Sequence, residues 1–63
     1  MDKNIQAKLL AENIYALASD LCRTNIFYSP DASYNITKAI EETTTNLITC
    51  IQEIRKGQKK NEQ

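Results

Sequence analysis

Histidine is absent from the chain, and glycine and proline occur once each. The missing histidine, with only two cysteines, leaves a zinc site of the usual nitrogen and sulfur ligands to be completed by carboxylates, and it removes the usual general base. One glycine and one proline are too few for a mixed fold with several turns. Charge of one sign is lacking too: eight basic and eight acidic residues cancel. A neutral chain has no long-range pull toward nucleic acid or an anionic membrane. No apolar run approaches the roughly 20 residues of a membrane span. The start, Met1-Asp2-Lys3-Asn4-Ile5-Gln6, has neither the basic region nor the apolar core of a signal peptide. Cytoplasmic placement with reduced thiols is therefore expected. Asn35-Ile36-Thr37 matches a glycosylation acceptor, but without a secretion signal it reads as chance, with Ile36 in the core.

What is present is helical periodicity on both sides of Ser29-Pro30-Asp31. Serine suits an N-cap, proline the first helical position, and aspartate the positive end of a helix dipole. Asp2 can cap an earlier helix over about residues 3–25. Ala7, Leu10, Ile14, Leu17 and Leu21 form one face of it, widened by Ala11, Ala18 and Cys22. Asn25 suits a left-handed C-cap, with Ile26 as the apolar contact that often follows one. Ile5 and Leu9 lie nearly opposite that face, and two readings are open for them: scattered surface residues, or a second contact strip.

The second helix is expected over about residues 30–56. Ile36, Ile40, Thr43, Leu47, Cys50 and Ile54 alternate four and three apart, an a/d seam of nearly three heptads. Ala32, Ala39 and Ile51 flank it and Ile48 extends it. Arg55 and Lys56 suit the negative end of the helix and Gly57 a stop, so residues 58–63 read as a polar, frayed tail. Thr43-Thr44-Thr45 lowers helix propensity, but a seven-residue pattern argues against a strand. A buried Thr43 hydroxyl can bond the carbonyl one turn earlier.

An all-α fold follows: a single antiparallel two-helix hairpin, coiled-coil-like, over residues 1–57, with its bend at about 26–29. Facing residues then have numbers summing to roughly 56, which pairs Leu21 with Ile36, Leu17 with Ile40, Ile14 with Thr43, Leu10 with Leu47 and Ala7 with Cys50. Cys22 and Cys50 fall at opposite ends, about 24 Å apart at 1.5 Å per residue, too far for a bridge, and both read as small buried hydrophobes. Phe27 and Tyr28 at the bend either plug the end of the core or anchor a partner. Tyr15 and Tyr34 read as shields of the core edge. The apolar arc of the second helix covers about half its circumference, more than one neighbour covers, so a second copy completing a four-helix bundle is the simplest expectation. Leu10, Ile14, Leu17, Leu21, Ile36, Ile40, Thr43, Leu47, Ile51 and Ile54 form the core and oligomer seam.

No phosphate-cradling glycine loop and no Ser/His/Asp or Cys/His set is present, no cofactor is implied, and Glu41-Glu42 diverges around the helix as a solvated face. Two classes remain. One is a small non-enzymatic regulatory or accessory protein that binds another protein through Ile5, Leu9, Phe27, Tyr28 and Tyr34. The alternative is a nucleic-acid-binding hairpin dimer that uses Arg55, Lys56, Lys59 and Lys60, a run whose plainer and favoured reading is dipole complementation and a solubilising tail.

The layout of two helices, one short bend and heptad seams resembles the plasmid-encoded Rop hairpin, whose dimer is a four-helix bundle that binds paired RNA loops. The resemblance implies the bundle. The RNA-contacting face of that family has no residue-by-residue counterpart here, so RNA binding does not follow. In size and composition the chain also resembles the small helical accessory proteins of bacteriophages and mobile elements. Stretches such as Asn35-Ile36-Thr37-Lys38 and Thr43-Thr44-Thr45-Asn46 fit an AT-rich gene. That resemblance implies a protein partner in a host cytoplasm. A polar residue in a seam can also set oligomer state. Thr43→Leu is accordingly expected to change the mass of the assembly in sedimentation, and a gain in stability at constant mass would refute that role.

Overall fold

A computed structural model describes residues 2–61, with side chains through residue 58. Helix α1 runs Lys3–Arg23 and helix α2 runs Pro30–Asn61. The helices pack against each other as a hairpin, and no strand occurs among the described residues. Asp2 caps α1: its side chain accepts from the Asn4 N–H at 2.8 Å, and its carbonyl accepts from the Gln6 N–H at 2.9 Å. Ser29 supplies the first carbonyl of α2, bonded by the Ser33 N–H at 3.0 Å. Pro30 occupies the first helical position, where a missing N–H costs nothing.

The expected seam is partly covered on both helices. Leu10, Ile14, Leu17 and Leu21 of α1 are partly covered, as are Ile36, Ile40, Thr43, Leu47 and Ile54 of α2, whereas Ile51 is exposed. The register is visible at the open end. Lys3 forms an ion pair with Glu53, and the Cys50 thiol donates to the Lys3 carbonyl at 3.3 Å. Cys50 and Ala7 are small, so the first turn of α1 can approach α2 closely there. The threonines answer their own propensity problem. Thr37, Thr43, Thr45 and Thr49 each donate to the carbonyl four residues back, Thr43 to Ala39 at 2.9 Å.

Several expectations fail locally. Helix α1 stops at Arg23, so the bend spans 24–29. Its terminator is extended Thr24 rather than a left-handed Asn25; no residue among those described has a positive φ. A β-branched residue favours that extended conformation, and Thr24 gives both its N–H and its hydroxyl to the Asp20 carbonyl. Asn25 caps the bend with its side chain instead, accepting from the N–H groups of Phe27 at 3.0 Å and Tyr28 at 3.2 Å. Ile26 is exposed and makes no covering contact.

Gly57 does not end α2, which continues to Asn61. Glycine in an exposed helix interior costs only about 1 kcal/mol relative to alanine, and its neighbours Arg55, Lys56, Gln58, Lys59 and Lys60 are good helix formers. A Cβ at Gly57 would meet nothing within 4 Å, so the position faces open space. The expected frayed tail at 58–61 is therefore helical, and residues 62 and 63 lie outside the described residues.

Ser33 closes the bend end of the seam, three residues before Ile36. It is 5% exposed, and its hydroxyl oxygen has no hydrogen-bond partner. Desolvating an unpaired hydroxyl is unfavourable, and alanine is the better helix former. Ser33→Ala is expected to raise stability by about 1 kcal/mol in urea unfolding. A loss of stability would show that the hydroxyl is satisfied in solution.

Candidate interaction surfaces

The hairpin is long and thin, 54 × 16 × 14 Å, and its surface is where its unusual chemistry lies. Among the described residues, Cys50 is the one hydrophobic residue that is buried, at 3% exposure. Ile5, Leu9, Tyr15, Ile26, Phe27, Tyr28, Tyr34, Ile48 and Ile51 are all exposed.

These residues form separate sites. The first is the bend. Phe27 is 87% exposed and Tyr28 80% exposed, so neither plugs the core. The Asn25 side chain accepts from both their N–H groups, and near the bend it is Ser33 that is buried. The two rings meet edge to face, with centroids 5.4 Å apart and planes at 80°. The bend thus presents a locally ordered aromatic pair at the tip of the hairpin.

The second site is Ile5 with Leu9, one turn apart near the open end of α1 and exposed. About 18 residues of helical rise, roughly 27 Å, separate Ile5 from the end of α1 at Arg23, and Phe27 lies beyond it in the bend, so the five residues expected to contact a partner do not share one patch. Tyr34 lies near the bend on α2, exposed, and Tyr15 is exposed on α1; neither shields the core edge as expected. The helices are straight enough in pattern that a residue about 120° or more from the seam meets solvent whatever its chemistry.

The third site is a flank of the hairpin. At about 100° per residue, Ala11, Ala18 and Cys22 are turned about 60–100° from the seam of α1, and Thr44, Ile48 and Ile51 about 60–120° from the seam of α2, in the same rotational sense. Because the helices are right-handed and antiparallel, both groups face the same side. The opposite flank carries Gln6, Asn13 and Asp20 on α1 and Asn35, Asn46 and Glu53 on α2. The first flank is therefore the more apolar of the two, although Asn4, Thr37 and Arg55 also turn about 100° to that side. Cys22 belongs to the apolar flank and is exposed, which corrects its reading as a buried thiol; Cys50 is buried as expected, and both are free. A cysteine about 100° from the seam is beyond the reach of one neighbouring helix.

Arg55 and Lys56 are exposed on α2, and the side chains of Lys59 and Lys60 lie outside the described residues. Among the described residues no cluster of three or more His, Cys, Asp or Glu is arranged to hold a metal ion, and no helix is long and apolar enough to cross a membrane. Exposed ion pairs dress the surface: Lys38 with Glu41 at 2.8 Å, and Arg23 with Asp20. The first holds the Glu41 carboxyl below the ordinary range through the Lys38 hydrogen bond, then through its charge. No protein-family model, no curated protein and no solved structure matches the chain.

The Lys3–Glu53 pair ties the open end and carries a pH signature. The hydrogen bond from Lys3, then its charge, lowers the Glu53 pKa, and the same contacts raise that of Lys3. A lowered carboxyl contributes stability above its unfolded pKa and loses it as pH falls through the folded value. A raised ammonium contributes below its unfolded pKa and loses it as pH rises through the folded value. The pair therefore acts between about pH 4 and pH 10. Amide protection in the first turn of α1 is expected to fall on acidification below about pH 4, and Glu53→Gln should abolish that dependence. Identical acid profiles for the two proteins would show that the pair does not hold the open end.

Proposed function

We propose that the chain is a small regulatory or accessory protein that works by protein–protein contact through its bend and helix faces, without catalysis, and that it assembles as a homodimeric four-helix bundle in the cytoplasm. The observation that carries this reading is the inversion of the usual balance: among the described residues, one hydrophobic side chain is buried and nine large ones are exposed. A chain of 63 residues has little core to spare, so apolar surface left open on this scale favours contact with other chains. The bend adds the chemistry that binding hot spots favour. A tyrosine and a phenylalanine are held edge to face, and Asn25 orders the backbone beneath them before any partner arrives. The layout resemblance to the Rop hairpin supports the bundle, and the resemblance to small accessory proteins of bacteriophages supports a protein as the target.

The test is capture from a nuclease-treated bacterial lysate with the immobilised chain, alongside a low-salt gel shift with bulk RNA and DNA. The expected result is a protein retained by the wild type and lost with the double variant Phe27→Ser, Tyr28→Ser, with no shift of nucleic acid. Both rings are on the surface, so the variant should keep its helical circular dichroism. A salt-dependent shift with no retained protein would overturn the reading in favour of a nucleic-acid-binding hairpin.

A further inference from the structure

We propose that the apolar flank is the seat of a second copy of this chain, related by a two-fold axis parallel to the helices so that both bends lie at the same end. The inference deepens the homodimer reading above by assigning the face and the arrangement.

Area is the first argument. The hairpin exposes 5197 Å². A folded monomer of 7.2 kDa is expected to expose about 4,100 Å², so each copy carries about 1,100 Å² in excess. A standard stable interface removes about 800 Å² from each partner. An interface of that size would remove most of the excess. Shape agrees: the radius of gyration is 15.2 Å against about 11 Å for a compact chain of this length. Charge does not oppose the match, because the formal net charge is +0.

Complementarity selects the arrangement. On the apolar flank the α1 side chains are small, Ala11, Ala18 and Cys22, and the α2 side chains Ile48 and Ile51 are large and half exposed. A two-fold parallel to the helices sets α1 of one copy against α2 of the other, in the register the hairpin already uses. Ala11 then lies at the level of Thr44 and Ile48 of the second copy, and small meets large. All four neighbouring helix pairs are antiparallel. A two-fold perpendicular to the helices would instead set α1 against α1, small on small, and α2 against α2, with Ile48 near the level of polar Thr37.

Sedimentation equilibrium of three proteins at one micromolar-range concentration tests the face. The wild type and Leu9→Glu should both show twice the monomer mass, and Ile48→Glu the monomer mass. Leu9 and Ile48 are matched in exposure, at 49% and 52%, so the comparison isolates position. A monomeric wild type, a dimeric Ile48→Glu or a monomeric Leu9→Glu overturns the proposal. Should Ile48→Glu also lose its helical signal, the wild-type protein decides: alkylation of Cys22 should slow at least tenfold as concentration rises through the dimer range, and a constant rate overturns the face. Spin labels on Tyr28→Cys in a Cys22→Ala background test the arrangement. Bends at one end place the labels within about 25 Å, and bends at opposite ends about 40 Å apart by helical rise; the longer distance overturns it. Failure here with lysate capture intact would leave the protein-binding reading standing and assign the flank to another protein.

Discussion

A helix has a whole circumference to cover, and a hairpin offers it one neighbour. Everything distinctive in this chain follows from that shortage. The seam side chains from Ser33 to Ile54 find cover only along the line where α1 and α2 touch, and even there most are half covered. Cys50 is buried because it is small and faces the first turn of α1. Helix α2 has 32 residues and α1 only 21, so part of α2 has no intrachain neighbour at all. Stability must therefore lean on backbone geometry and capping more than on a core, and the ends of the helices become disproportionately important.

The two ends solve this differently. At the bend, polar groups do the work: Thr24 returns its N–H and hydroxyl to Asp20, Asn25 gathers the N–H groups of Phe27 and Tyr28, and Pro30 starts the next helix without an orphaned donor. At the open end the ties cross between helices, through the Lys3–Glu53 pair and the Cys50 thiol on the Lys3 carbonyl. These contacts are exposed or weak individually. Their value lies in register: a shift of α1 by one residue would rotate its seam by about 100° and lose the layers together. The threonine back-bonds serve the same economy, since a seam hydroxyl bonded to its own helix asks nothing of the neighbour.

This division explains what was legible in the sequence. Periodicity reports which side of a helix can be buried and capping chemistry where a helix begins, so the seam, the Asp2 cap and the Pro30 start could all be read. Periodicity says little about how far cover extends around each helix. Cys22, Tyr15 and Tyr34 were placed at a core edge that one neighbouring helix is too narrow to provide. Ser33 was missed because its residue type is polar, although it continues the four-and-three spacing backward from Ile36. Gly57 was over-read as a stop: glycine permits a left-handed cap but does not compel one, and strong helix formers on both sides carried the helix through. At the bend, Thr24 pre-empted Asn25 by adopting the extended conformation that β-branched residues favour, and this turned the aromatic pair outward. No local signal distinguishes an aromatic that folds back from one that points away.

The unequal flanks bear on how many copies can associate. A hairpin with two apolar flanks would present a fresh apolar surface after each addition and would stack without limit. Here the flank bearing Asn13, Asp20, Asn46 and Glu53 is polar, so association through the other flank hides the apolar strip of both copies and leaves polar surface outside. In the proposed dimer, closure at two would be a property of the sequence pattern, requiring no specific contact to stop growth. Ile5 and Leu9 sit outside that closure, turned away from the apolar flank, as do the rings at the bend. A face that serves assembly need not be the face that serves recognition, and their placement on different sides of the hairpin lets one persist while the other is used.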